Sequence, residues 1–151
     1  MMRRRLLAAL SLPLLMSCGG SAERAARRYE LPASKADEYP TAYVSVVVAD
    51  PPGADLAAGS GEHVIIANNA SIRIDMGGWW LDVDGERLPL GIGRQIEVGA
   101  ELRVHIGSGT SDEGSVFMGL DTEVLDDTSG VVILRDSAGS EVARFAYGLH
   151  D

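Results

Sequence analysis

Beyond Pro40 the chain is a succession of short runs rich in β-branched and aromatic residues, each cut off by Gly, Asp, Asn or Pro, and no stretch sustains a helical period. A chain punctuated in this way can bury its apolar side chains only by pairing many short strands, so an antiparallel all-β domain is the expected class. Residues 41–49 read as a first strand, broken by Pro51-Pro52-Gly53, and residues 62–67 as a second, ended by Asn68-Asn69. In 71–75 the residues alternate strictly, which puts Ile72 and Ile74 on one side and Arg73 on the other. Residues 79–83 turn through Asp84-Gly85 into 86–90, a tight hairpin whose two central residues suit positive φ. Further runs at 95–98, 102–106, 116–118, 123–125, 131–135 and 141–147 continue the pattern, with 107–114 too polar to be other than a loop. About eight or nine strands in little over a hundred residues predict a two-sheet sandwich of immunoglobulin type, and the lack of a fixed repeat argues against a propeller or solenoid.

The start of the chain reads as an address. Three arginines (Arg3, Arg4, Arg5) precede an apolar stretch from Leu6 to Met16, and Ser17-Cys18-Gly19-Gly20 follow. The apolar stretch is roughly half the ~20 residues that a membrane-spanning helix needs, so residues 1–17 are expected to be a signal peptide. Leu15-Met16-Ser17-Cys18 resembles the bacterial lipobox, although Met16 is unusual there. The resemblance implies cleavage before Cys18 and diacylglycerol on its thiol. Two acyl chains hold a protein stably on a membrane, where one does so only marginally. Gly19 is not the aspartate that, in enteric bacteria, resembles an inner-membrane retention signal; the outer membrane or the cell surface is favoured over the inner membrane, and the choice of membrane and leaflet stays open. Residues 18–41, polar and charged with two prolines, are expected to be a flexible tether, with Arg24, Arg27 and Arg28 free to touch anionic headgroups. The β domain then spans 42–148, with 149–151 as a tail.

Charge and cysteine usage exclude several classes. The chain has 13 Lys+Arg against 22 Asp+Glu; without Arg3, Arg4 and Arg5 the balance is 10 against 22, near −12. Such a surface repels phosphate backbones, so a nucleic-acid partner is not expected. Cys18 is the only cysteine, which rules out an intramolecular disulfide and a cysteine zinc cluster. His63, His105 and His150 are far apart in sequence with no paired spacing, and a strand or surface position is expected for each. No nucleophile elbow, Cys-His context or phosphate-cradling loop with lysine occurs, and Lys35 is the only lysine. No cofactor is expected, and the chain is not expected to be an enzyme.

The motifs resemble, in order, those of the lamin tail domain, an immunoglobulin-like sandwich that also occurs in exported bacterial proteins. The resemblance rests on Glu62-His63-Val64-Ile65-Ile66-Ala67-Asn68-Asn69, on Gly77-Gly78-Trp79-Trp80-Leu81, on residues 98–109 and on Leu134-Arg135-Asp136-Ser137-Ala138-Gly139-Ser140-Glu141-Val142. It covers roughly 42–148. Where many members carry a Trp-Asn-Asn-like segment, this chain has Val124-Leu125-Asp126-Asp127-Thr128. The family implies a fold and lends no catalytic residues.

Neighbouring residues of a strand face opposite ways. The resemblance makes Trp79 the core residue, which leaves Trp80 outward, either as the candidate binding residue for an envelope protein or glycan or partly covered by neighbouring side chains. The expected function is therefore a non-catalytic binding or scaffolding module, held at the cell envelope through lipidated Cys18. Two alternatives stand beside it. Asp82, Asp84 and Glu86 bring three carboxylates near one turn and suit a calcium-stabilised spacer. Asp126 and Asp127, within a second acidic group with Asp121 and Glu123, offer the paired carboxylates of an envelope hydrolase.

Overall fold

The computed structural model describes residues 27–58 and 61–148. The signal peptide (1–17), Cys18, the tail (149–151) and His150 lie outside the described residues. The described chain is an all-β sandwich, as expected. Its strands are β1 (Arg27–Glu30), β2 (Ala42–Asp50), β3 (His63–Asn68), β4 (Ile74–Asp75), β5 (Trp80–Val83), β6 (Glu86–Pro89), β7 (Gln95–Ile96), β8 (Glu101–His105), β9 (Ser115–Phe117), β10 (Gly130–Arg135) and β11 (Glu141–Tyr147), with one helical turn, α1 (Ala33–Ala36). One sheet runs β1-β2-β3-β8-β9, the facing sheet β11-β10-β5-β6, and β4 and β7 form a two-stranded ribbon.

Period-2 alternation delivers the core. Val64 and Ile66 of β3 and Leu102 and Val104 of β8 meet Leu81 and Val83 of β5, Leu88 of β6, Val132 and Leu134 of β10 and Phe145 of β11. The valine run of β2 breaks the alternation and needs a device. A register shift between Val44 and Val46 reverses the parity, so that Val44 and Val47 both enter the core. Val46 and Val48 then join Ile65 in a separate buried cluster on the other face of the same sheet.

The turns explain the motif residues. Asp84 and Gly85 take φ of 49° and 93°, so β5 and β6 are joined by the two-residue turn that the sequence predicts, with Val83 opposite Glu86. Asp136 Oδ1 accepts from the backbone N–H of Ala138 and Ser140, both at 2.9 Å, and Gly139 supplies φ of 83° between β10 and β11. At the end of β3, Asn68 Nδ2 donates to the carbonyls of Ile72, Ile96 and Glu97 at 2.9, 3.0 and 3.2 Å, tying the β4–β7 ribbon to the sheet.

Three expectations are corrected. Residues 27–41, read as tether, belong to the fold. β1 pairs antiparallel with β2, and Tyr29 packs against the core while its hydroxyl donates to the Asp127 carbonyl at 3.1 Å. The alternating charges of Arg28 and Glu30 had hidden this strand. Residues 123–125 are not a strand, because the N–H groups of Val124 and Leu125 go to the side chain of Glu62, each at 3.2 Å, instead of to a neighbouring strand. β9 pairs with β8 parallel, Arg103 opposite Ser115 and His105 opposite Phe117, because the polar loop 106–114 folds back along its own strand.

Candidate functional site

The outer face of the four-stranded sheet carries Trp80. On β5, Leu81 and Val83 are fully buried, which turns Trp80 and Asp82 outward. Trp79, expected in the core, packs half-buried at the margin of the core. The hairpin register puts Arg87 opposite Asp82, diagonal to Trp80, and its guanidinium carbon lies 4.4 Å from the Trp80 ring centroid. From the other side, Arg135 of β10, directly opposite Trp80, brings its own to 5.5 Å. Both lie within cation–π reach. Trp80 is thus outward as expected but half-buried, its ring partly covered by two cations.

The two arginines differ in what they have left to give. Arg135 Nε donates to Asp82 Oδ2 at 3.3 Å and its Nη1 to the Gly139 carbonyl at 3.2 Å, so it braces the turn. Arg87 is exposed, its guanidinium carbon sits over the indole, and no hydrogen bond from it to the protein is seen among the described residues. A guanidinium with donors to spare is a fork for carboxylate or phosphate oxygens. Arg144, opposite Ile133 on the same face, is held by Glu141 through two bonds of 2.9 and 3.0 Å.

The calcium candidates do not converge. Asp82 Oδ1 accepts from Gly85 N–H at 3.0 Å and Oδ2 from Arg135, while Asp84 Oδ1 accepts from Val131 N–H at 3.3 Å. Glu86 pairs with inward-facing Val83, so strand parity turns it to the side opposite Asp82. Among the described residues no three His, Cys, Asp or Glu side chains form a group able to hold a metal ion. The hydrolase candidates have structural work instead. Asp126 Oδ1 accepts from Thr128 Oγ1 at 2.7 Å and from the N–H groups of Thr128 and Ser129, and these bonds hold its carboxyl below the usual carboxylate range. A general acid needs the opposite shift. Tyr147 and Tyr29 fasten the same loop by its carbonyls. A groove of about 730 Å³ lies elsewhere, between 92–97 and 111–114, and includes neither aspartate. Its arginine, Arg94, is spent on the carbonyls of Asp112 and Glu113.

Two features went unread in the sequence. The first is Glu62, 1% exposed, whose burial pushes its carboxyl up to about 7 against the pull of the Val124 and Leu125 N–H groups. The second is the juxtaposition of His63 and His105, directly opposite across β3 and β8, with ring centroids 5.3 Å apart and exposures of 7% and 4%. Burial lowers the pKa of both, so both imidazoles are neutral. Of the tether arginines, Arg27 lies 3.8 Å from Asp50 and Arg28 bonds Glu30 at 2.7 Å; Arg24 lies outside the described residues. Among the described residues no helix is long and apolar enough to cross a membrane. No protein-family model matches the chain, and no curated protein matches it.

Proposed function

We propose that the chain is an exported lipoprotein, anchored by diacylglycerol on Cys18, whose β-sandwich is a non-catalytic binding module for an envelope protein or glycan bearing anionic groups. The observation that carries this reading is the exposed Arg87 guanidinium 4.4 Å from the centre of the Trp80 ring, on an outward sheet face. Trp80 serves as the backing rather than as a bare stacking platform. An exposed guanidinium fixed in advance loses less side-chain entropy on binding than a free one. The lamin tail resemblance is part of the same reading, supported by the structural duties of its motif residues Asn68, Asp136 and Gly139.

The test uses the full chain expressed in a bacterial host, crosslinked in envelopes and purified in detergent beside Trp80→Ala, Arg87→Ala and Cys18→Ala. The expected result is one partner captured by the parent chain and lost with Trp80→Ala and with Arg87→Ala, and a Cys18→Ala chain that leaves the membrane fraction. Capture unchanged by both face variants would reject the binding face; a Cys18→Ala chain that stays in the membrane would reject the anchor.

A further inference from the structure

His63 and His105 are both more than nine-tenths buried, on the face of the five-stranded sheet that turns away from the core. His63 Nδ1 donates to the Gly61 carbonyl at 2.8 Å, which fixes the tautomer and leaves Nε2 as a bare lone pair. That Nε2 and the Nδ1 of His105 are buried and make no hydrogen bond. A buried polar atom without a partner is costly, and these two belong to rings paired directly across β3 and β8, close enough for one occupant to serve both. Phe117 stacks on His105 with centroids 4.3 Å apart and planes 8° apart, and packs so tightly beneath Gly109 that a Cβ there would collide with its ring. The loop 107–114 therefore pins the ring of His105.

We propose that His63 and His105 form a two-imidazole site for a first-row divalent cation of the zinc, copper or nickel class, with water completing its coordination. Two imidazoles on one tetrahedral ion, at ~2.0–2.1 Å per Zn–N bond, put their ring centroids about 5 Å apart, close to the 5.3 Å observed. The Gly61 carbonyl on Nδ1 is the outer-shell partner that ligating histidines commonly have. Imidazole nitrogen selects these ions over calcium and magnesium, which take oxygen. The charged groups around the pair set a modest affinity. Arg103 and Arg28 lie on the same face and oppose a cation, Arg28 being paired with Glu30, while the charge of Asp112, whose carboxylate also accepts from Gly114 N–H, favours one at His105.

The test is titration of the untagged full chain with Cu²⁺ and with Zn²⁺, beside His63→Gln, His105→Gln, His150→Gln and Cys18→Ser. One equivalent should bind, with copper electron paramagnetic resonance showing two nitrogen ligands. His63→Gln and His105→Gln should each weaken binding by more than about 10-fold, beyond the lower end of what outer-shell losses produce. His150→Gln and Cys18→Ser should leave it unchanged. If either histidine variant fails to fold, zinc-induced shifts of the imidazole ¹⁵N resonances in the parent chain report the same ligands directly. Failure to bind at millimolar ion, binding that survives loss of both histidines, or ¹⁵N shifts confined to His150 would overturn the proposal.

Discussion

Replacing Glu62 with glutamine should remove a pH dependence of stability that one buried carboxyl imposes on the whole sandwich. The Glu62 carboxyl rises from 4.5 to about 7 on folding. A folded-state pKa above the unfolded value means that the native state holds the proton more tightly. Stability from this group is therefore complete below about pH 4.5, falls as pH climbs, and is gone above about 7. At ~1.4 kcal/mol per pKa unit the whole effect is roughly 3 kcal/mol. The group is 1% exposed, so solvent screening takes little from that figure. Glutamine cannot ionise, but its amide offers one oxygen where the carboxylate offers two, one to Val124 N–H and one to Leu125 N–H. The loss of one such bond costs about 1 kcal/mol.

The two stability curves should therefore cross. Near pH 4.5 the parent should be the more stable by about 1 kcal/mol, and near pH 8 the variant by about 2 kcal/mol. Equilibrium urea unfolding at half-unit pH steps measures both curves, and amide exchange at Val124 and Leu125 reports whether the loop opens first. Exposed Glu123, whose carboxyl is raised by a hydrogen bond shared with Asp55, adds its own slope to both proteins. Parallel curves for parent and variant from pH 4.5 to 8 would refute the reasoning, because the slope would then belong to other groups.

Other consequences follow from single contacts. Asn68→Ala strips hydrogen bonds from three carbonyls at the foot of the β4–β7 ribbon and should cost about 3 kcal/mol in urea unfolding, at about 1 kcal/mol per bond. Gly85→Ala forces a Cβ into φ of 93°, where no neighbouring atom lies within 4 Å, so the loss should be purely conformational, about 1–2 kcal/mol. Leu81→Ala opens the centre of the core, where Leu81 is fully buried, and should cost about 2–5 kcal/mol. Millimolar calcium should leave the melting temperature unchanged, because Asp82 and Asp84 are already engaged by protein donors; a rise would restore the calcium-spacer reading.

What was legible in the sequence depended on how local its cause is. The β5–β6 hairpin follows from Asp84-Gly85 alone, and that two-residue turn also fixes the register, so the diagonal placement of Arg87 beside Trp80 was already implicit in the chain. Arg135 was not, because its approach to Trp80 depends on the pairing of β10 with β5, which no local signal encodes. Val124 and Leu125 show the reverse failure. Both favour strands, yet their backbone donors are claimed by a carboxylate 62 and 63 residues earlier in the chain, so propensity gave the wrong element. β1 was missed because a strand at the edge of a sheet needs few apolar residues, and in Arg27–Glu30 a single tyrosine supplies the packing. The same logic governs the site. Strand parity alone turns Trp80 outward, but whether an outward tryptophan is bare or backed by cations is decided by two neighbouring strands, one local and one remote. The parts of the binding face that sequence could not supply are therefore those that hold Arg135 in place. Arg87→Ala should weaken the partner without loosening the hairpin, whereas loss of Arg135 should disturb Asp82 and the 136–139 turn along with binding.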